Sequence, residues 1–257
     1  SGADAEARRV AVVVSNANYA SLPKLDSAQL DGQAMAAALA GLGFEVSALS
    51  DPDTAAFQAA LANAVLGLGA GDTALFYYAG HAIRQDGMDL LVPVAASLTD
   101  PGTTLAETWA LQDVVDAMKV NDVTLVMLLD GTHKDALADD LLAPQDGEGA
   151  AHLRGGANSF VALAEAPGTV DWSKQEAGSF SPFTAALLAN IGTKGLTLTD
   201  VMAKIRAEVL GATGSDQIPW MQSSLRQPFY FTAPDTSAGA AVPAFALAEA
   251  EVTLISA

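Results

Sequence analysis

The sequence contains no cysteine. Disulfide bonds, thiolate metal sites and a cysteine nucleophile are therefore excluded. Basic residues are also scarce, because 12 Lys and Arg stand against 30 Asp and Glu and give a net charge of −18. This balance argues against nucleic-acid binding, which needs a basic face. It indicates either a solvated acidic surface or a surface that attracts cationic peptides.

Long hydrophobic runs are absent as well. No apolar stretch approaches the roughly 18 residues of a membrane span, so we expect no transmembrane helix. The first ten residues, SGADAEARRV, lack the apolar core of a signal peptide. They fit the mature start of a periplasmic or secreted protein behind a cloning scar, and they fit a cytoplasmic chain equally well. The sequence leaves the compartment and the oligomeric state open.

Strand-like and helix-like segments alternate along most of the chain, which predicts an α/β fold. Short apolar runs predict strands, and apolar residues at i+3 and i+4 spacing predict helices. The predicted strands cover 8–15, 44–49, 72–80, 88–94, 122–130, 158–166 and 227–232, and the predicted helices cover 27–42, 54–68, 107–119 and two segments capped by Ser181 and Thr199. The alternation predicts a three-layer sandwich, with a mostly parallel sheet between helices.

The predicted elements form one domain, over residues 9–232. Residues 1–8 form an N-terminal extension or a cloning scar. Residues 133–157 are small, polar and Gly-rich, which predicts a long flexible loop. Residues 233–257 are rich in Ala, Pro and small polar residues and predict a C-terminal tail or linker.

Polar residues follow two of the predicted strands. One strand leads to His81, and another leads to Asp130 and Thr132 in the stretch VMLLDGTHKD. Because the carboxyl ends of parallel strands share one edge of the sheet, catalytic groups collect there. This edge is the candidate site, although no strong nucleophile is present in it.

From about Arg9 to Phe231 the sequence resembles the caspase-like peptidases, in particular the bacterial metacaspase-like members called orthocaspases. Five motifs carry the resemblance in the family's order: VAVVVSNANYASLPKL, QLDGQAMAAALAGLGFEV, ALFYYAGHAIRQDGMDLLVPVAA, LVMLLDGTHKD and QIPWMQSSLRQPFYF. The resemblance implies a six-stranded, mostly parallel sheet flanked by helices. It also implies cysteine-peptidase chemistry without a cofactor, in which a Cys attacks the scissile carbonyl and a His is its proton partner.

The resemblance assigns roles to four residues. His81 matches the catalytic His, and Thr132 stands where the nucleophilic Cys is expected. Asp130 matches the Asp of the family's Asp-x-Cys motif, which lines a pocket for Arg or Lys, and Asp31 matches an acidic position near that pocket. From the residues alone, Asp130 either holds such a cation or caps the turn after its strand. The family's Gly-His-Gly motif reads Gly-His-Ala at 80–82.

The absence of the Cys leads to three hypotheses about function. A Thr hydroxyl has almost no ionised form at neutral pH, whereas a free Cys is already partly thiolate. The first hypothesis is an inactive pseudo-protease that binds Arg- or Lys-containing peptides or proteins, or an active relative of the same family. The alternatives are an active endopeptidase that uses Thr132 and His81, and a structural module of a larger protein. The loss of Cys is natural or introduced, and the departures at Ala82 and Gly131 favour natural divergence.

Metal binding has little support in the sequence. His81, His133 and His152 lack the spacing of a metal-binding motif. The acidic loop at 135–148 is either a weak calcium site or simply solvated. We therefore predict no metal and no cofactor, with calcium as the one alternative.

Overall fold

The computed structural model describes residues 7–85, 88–133, 156–165 and 178–235. The described residues form eight strands and six helices. In chain order these are β1 (Arg9–Ser15), α1 (Asp26–Gly41), β2 (Glu45–Ser50), α2 (Thr54–Ala64), β3 (Thr73–Gln85), β4 (Met88–Leu91), α3 (Pro101–Glu107), β5 (Trp109–Ala110), α4 (Leu111–Met118), β6 (Thr124–His133), β7 (Ser159–Leu163), α5 (Pro182–Asn190), α6 (Leu198–Ala212) and β8 (Trp220–Ser223).

All eight strands belong to one sheet. Its main path runs β2–β1–β3–β6–β7–β8. The first five of these strands run parallel to one another, and the last strand, β8, is antiparallel to β7. Off this path, β4 pairs antiparallel with the end of β3, and β5 pairs with β4. The predicted mostly parallel sheet is confirmed. Its main path has the expected six strands, and β4 and β5 bring the total to eight.

The central strands bury side chains on both faces of the sheet. On β3, Leu75 and Tyr77 pack into a cluster with residues of α1, α5 and α6. The alternate residues Phe76 and Tyr78 pack into a second cluster with residues of α2 and α4. Successive side chains of a strand point to opposite faces, so a sheet covered on both faces needs nearly continuous apolar strands. These two clusters hold the three layers together.

The two central strands extend further than the sequence analysis predicted. β3 continues to Gln85 because its last residues pair with β4. β6 continues to His133 because it stays paired with β3 as far as Ala82. His81, Asp130 and Thr132 consequently lie within the paired strands instead of following them.

The predicted closing strand at 227–232 is wrong. The sheet ends at β8, and residues 227–232 contribute only one isolated bridge, from Tyr230 to Thr197. Pro228 has no N–H to donate to a ladder. Phe229 and Phe231 instead pack edge to face, with ring centroids 5.2 Å apart. Burial of these rings therefore decides the path of this segment.

The single helix predicted at 107–119 is also wrong. α3 ends at Glu107, and Thr108 is extended with φ −112° and ψ 166°. The Glu107 carboxylate accepts hydrogen bonds from the backbone N–H groups of Ser97 and Leu98, at 2.6 and 3.1 Å. This contact binds the end of α3 to an earlier loop. The chain then forms β5, whose pairing with β4 separates α3 from α4.

Hydroxyl side chains cap the last two helices. Ser181 is the N-cap of α5, as predicted, and its hydroxyl accepts from the backbone N–H of Thr184 at 2.9 Å. The N-cap of α6 is Thr197, not the predicted Thr199, and it accepts from Asp200 at 3.2 Å. A hydroxyl oxygen at the N-cap satisfies a backbone donor that the first turn leaves unpaired.

Several predicted segments lie largely outside the described residues. These are the extension at 1–8, the loop at 133–157 and the tail at 233–257. Within the described ranges, none of the helices combines the length and the apolar character that crossing a bilayer would require.

Candidate active site

The sheet register brings positions 81 and 132 side by side. In the parallel pairing of β3 with β6, His81 is level with Thr132, and Ala79 is level with Asp130. Neighbouring strands lie about 4.7–4.9 Å apart, so the two backbones are in direct contact. The side chains of Thr132 and His133 lie outside the described part of the chain, as do His152 and the acidic loop 135–148.

The His81 ring is held by a backbone carbonyl. Its Nε2 is 2.8 Å from the carbonyl oxygen of Pro23. A carbonyl oxygen only accepts, so Nε2 carries a proton in this bond, and Nδ1 is the basic nitrogen of the neutral ring. The ring also contacts the Tyr19 ring, with centroids 4.5 Å apart. These contacts fix both the tilt and the tautomer of the imidazole.

Two buried tyrosines hold the backbone at His81. The His81 N–H donates to the Tyr19 hydroxyl at 2.7 Å, and the Tyr78 hydroxyl donates to the His81 carbonyl at 2.6 Å. The same hydroxyls explain the glycine before His81. A β-carbon at Gly80 would lie 2.5 Å from the Tyr78 oxygen and 2.8 Å from the Tyr19 oxygen. Gly80 is required because the tyrosine hydroxyls occupy the space of any side chain.

Asp31 and Asp130 form a buried pair of carboxyl groups, here called the acid pair. Asp31 comes from α1 and Asp130 from β6, and α5 joins them. The backbone N–H of Ser181 donates to Asp31 Oδ1 at 3.1 Å, and its hydroxyl donates to Asp130 Oδ2. The Thr184 hydroxyl donates to the same Asp130 oxygen at 2.7 Å. The Asp130 carboxylate thus accepts hydrogen bonds from the start of α5, and it does not cap a turn after β6.

Burial keeps the acid pair partly protonated. Loss of water, together with the nearby charge of Asp130, raises the pKa of Asp31 to about 8. Burial also raises the pKa of Asp130, against the opposing effect of its hydrogen bonds from Ser181 and Thr184. No Lys or Arg among the described residues forms an ion pair with either carboxyl. The two carboxyls therefore titrate as a unit and hold a proton near neutral pH.

Comparisons with known proteins agree on the family. Residues 8–230 match the family described as Caspase domain. The chain belongs to the caspase-domain family. The fold is also that of a solved caspase: the crystal structure of caspase-1 from Spodoptera frugiperda superposes with a TM-score of 0.64 at 15% identity, covering 90% of this chain and 92% of that one. No curated protein matches the sequence.

Family membership establishes that this chain has a caspase-like peptidase fold. Caspase-like proteases act on peptide or protein substrates, and they need no cofactor. No group of three or more His, Cys, Asp or Glu that could hold a metal occurs within the described ranges. The likeness to the insect caspase, at its low identity, concerns the fold alone.

Sequence reasoning missed the contacts that hold the site together. The carbonyl of Pro23 has no sequence signature, because every residue carries one. The sequence predicts Ser181 as a helix cap, and in the structure its hydroxyl also donates to Asp130. No pattern in the sequence assigns Tyr77 to the site, yet its hydroxyl lies 2.6 Å from that of Thr184 and extends the same network. The alternation of β3 could have indicated that Tyr77 faces the α5 layer.

Proposed function

We propose that this protein is a caspase-fold pseudo-protease that binds peptide or protein segments without cutting them. One observation carries the proposal: position 132, directly level with His81 in the sheet, is a Thr, and the chain has no Cys. A Thr hydroxyl is far less acidic than a thiol, whose reference pKa is about 8.5. The metacaspase-like resemblance and this replacement together favour retained binding over retained proteolysis.

The acid pair supports a basic residue as the feature that is recognised. Asp31 and Asp130 are two carboxyls at the carboxyl edge of the sheet, without a described cationic partner. A guanidinium or an ammonium is the group that offsets such a buried charge. The ligand is therefore a segment that presents Arg or Lys. It belongs either to a peptide or to a partner protein, including an active member of the same family.

A second candidate function is hydrolysis through Thr132 with His81 as the base. The bond from Nε2 to the Pro23 carbonyl favours it, because Nδ1 is left as the basic nitrogen. A base alone is a weak activator of an internal hydroxyl, since threonine peptidases generally use their own N-terminal amine. This candidate ranks second for that reason.

Turnover of fluorogenic Arg and Lys peptides tests both candidates. The wild-type chain, Thr132→Cys and Thr132→Ala are assayed with and without calcium. We expect no turnover by wild type or Thr132→Ala, and weak turnover by Thr132→Cys. Wild-type turnover that disappears in Thr132→Ala would establish the second candidate. A fluorescently labelled Arg peptide, with its citrulline analogue as control, tests binding to the wild-type chain directly.

A further inference from the structure

The acid pair is closed to solvent in the described arrangement. Asp31 is 1% exposed, Asp130 is 6% exposed, and Ser181, which contacts both, is 2% exposed. The backbone N–H of Ser181 occupies one carboxyl, and its hydroxyl occupies the other. A cationic side chain would bond the same two buried carboxyl groups, of which Ser181 contacts one oxygen each. It can reach them only if Ser181 gives up its contacts.

The titratable groups around the pair come from three elements. Asp31 lies on α1, Asp130 on β6, and Tyr77 on β3, where burial and both carboxylates raise the pKa of its phenol. The next titratable residues along β3 are Tyr78, which packs in the cluster on the opposite face of the sheet, and His81. The α5 residues in contact with the pair contribute only neutral hydroxyls and a backbone N–H. No described positive charge therefore replaces the proton that the two carboxyls share.

We propose that the acid pair binds a cationic side chain in exchange for a proton, and that Ser181 holds the place of that cation in the ligand-free protein. The inference rests on the proposed function, because the cation is the Arg or Lys of the bound segment. The exchange balances: one positive charge enters, one proton leaves to solvent, and the Ser181 hydroxyl releases Asp130. Gly178, three residues before Ser181, has a φ of +86°, a left-handed conformation that glycine adopts without strain.

Proton exchange makes binding depend on pH. The pair must lose its proton to accept the cation, and the pKa of Asp31 is about 8. As pH rises toward 7, affinity should therefore increase about tenfold for each pH unit, and it should become constant above about pH 9. An Arg side chain keeps its charge throughout this range, so the dependence comes from the protein.

Isothermal titration of the full chain with acetyl-Ala-Arg-amide tests the exchange. Titrations between pH 6 and pH 9, each in two buffers of different ionisation enthalpy, report affinity and released protons together. We expect binding to tighten about 50-fold from pH 6 to pH 8, with close to one proton released at pH 7. The citrulline peptide, which has the same shape without the charge, should not bind.

The outcomes separate the two proposals. Affinity that is independent of pH, with no proton release, would overturn the exchange and leave the proposed function standing. Absence of Arg-peptide binding even at pH 9, with the fold intact by near-ultraviolet circular dichroism, would overturn both. Asp31→Asn removes the exchangeable proton, so it should bind weakly at every pH and release none.

A matched pair of cap variants tests the role of Ser181. Ser181→Gly removes the hydroxyl that occupies Asp130, and glycine is tolerated at an N-cap. We expect this variant to bind the Arg peptide several-fold more tightly than wild type at pH 7. Thr197→Gly removes the equivalent hydroxyl cap from α6 and should leave affinity unchanged. Equal affinity in Ser181→Gly and wild type would show that Ser181 does not hold the place of the cation.

Discussion

Ala82 fills the space beside Gly131. A β-carbon built at Gly131 would lie 2.9 Å from the Ala82 Cβ. The two residues are diagonal neighbours on β3 and β6, because Gly131 is level with Gly80. The Ala in the Gly-His-Ala motif is thus accommodated by the absence of a side chain at position 131. Two features that looked like separate departures from the family pattern form one packing arrangement.

This contact predicts a compensating pair of substitutions. Gly131→Ala should destabilise the protein by about 1–3 kcal/mol, because two rigid β-carbons cannot both fit in a packed sheet. Ala82→Gly alone should cost about 0.5–1 kcal/mol through chain entropy. The double variant should lose less unfolding free energy than the two single variants lose together. Urea unfolding of all four proteins measures the coupling, and strict additivity would contradict the packing explanation.

Tyr19 should stabilise the backbone that carries His81. Tyr19→Phe keeps the ring contact but removes the acceptor of the buried His81 N–H, at an expected cost of about 1–3 kcal/mol. Thermal and urea unfolding measure the loss. Tyr230→Phe is the control, because this half-buried hydroxyl bonds no described residue, and it should change stability by less than about 0.5 kcal/mol. Equal effects of the two variants would rule out the proposed role of Tyr19.

A thiol at position 132 should react faster because His81 is its neighbour. In Thr132→Cys, alkylation by iodoacetamide near pH 6.5 should be about tenfold faster than in Thr132→Cys with His81→Gln, since a nearby imidazolium favours the thiolate. Thr193→Cys, at an exposed position after α5, supplies the rate of an ordinary surface thiol. Similar rates for all three thiols would show that the register of the strands does not produce a working pair.

Stability should fall as pH rises toward 8. The folded-state pKa of Asp31, about 8, lies above its unfolded value, so the folded protein retains a proton that the unfolded chain releases. The stabilisation is fully present below the unfolded pKa, and it is lost as pH rises through the folded pKa. Urea unfolding between pH 4 and pH 9 should show this slope in wild type and a flatter profile in Asp31→Asn. Asp116→Asn, an exposed substitution on α4, should retain the wild-type slope.

Local patterns predicted the layers of the fold well. The β-branched run at 8–15 and the apolar faces of α1 and α2 required no tertiary information, because side-chain periodicity follows from strand and helix geometry. The errors occurred where distant contacts override local preference. The Glu107 carboxylate interrupts an amphipathic helical pattern because it binds an earlier loop. The segment that contains Pro228 packs the rings of Phe229 and Phe231 together instead of joining the sheet.

The sequence by itself determined that this chain forms a mostly parallel α/β sheet and that no thiol is available for the family's chemistry. Both conclusions follow from residue types and their spacing. Only the tertiary structure decided how His81 and the acid pair are held. Ser181 contacts Asp31 from 150 residues away and Asp130 from 51 residues away, and the Pro23 carbonyl contacts His81 from 58. Such contacts depend on how segments far apart in the chain pack together, which no local pattern encodes.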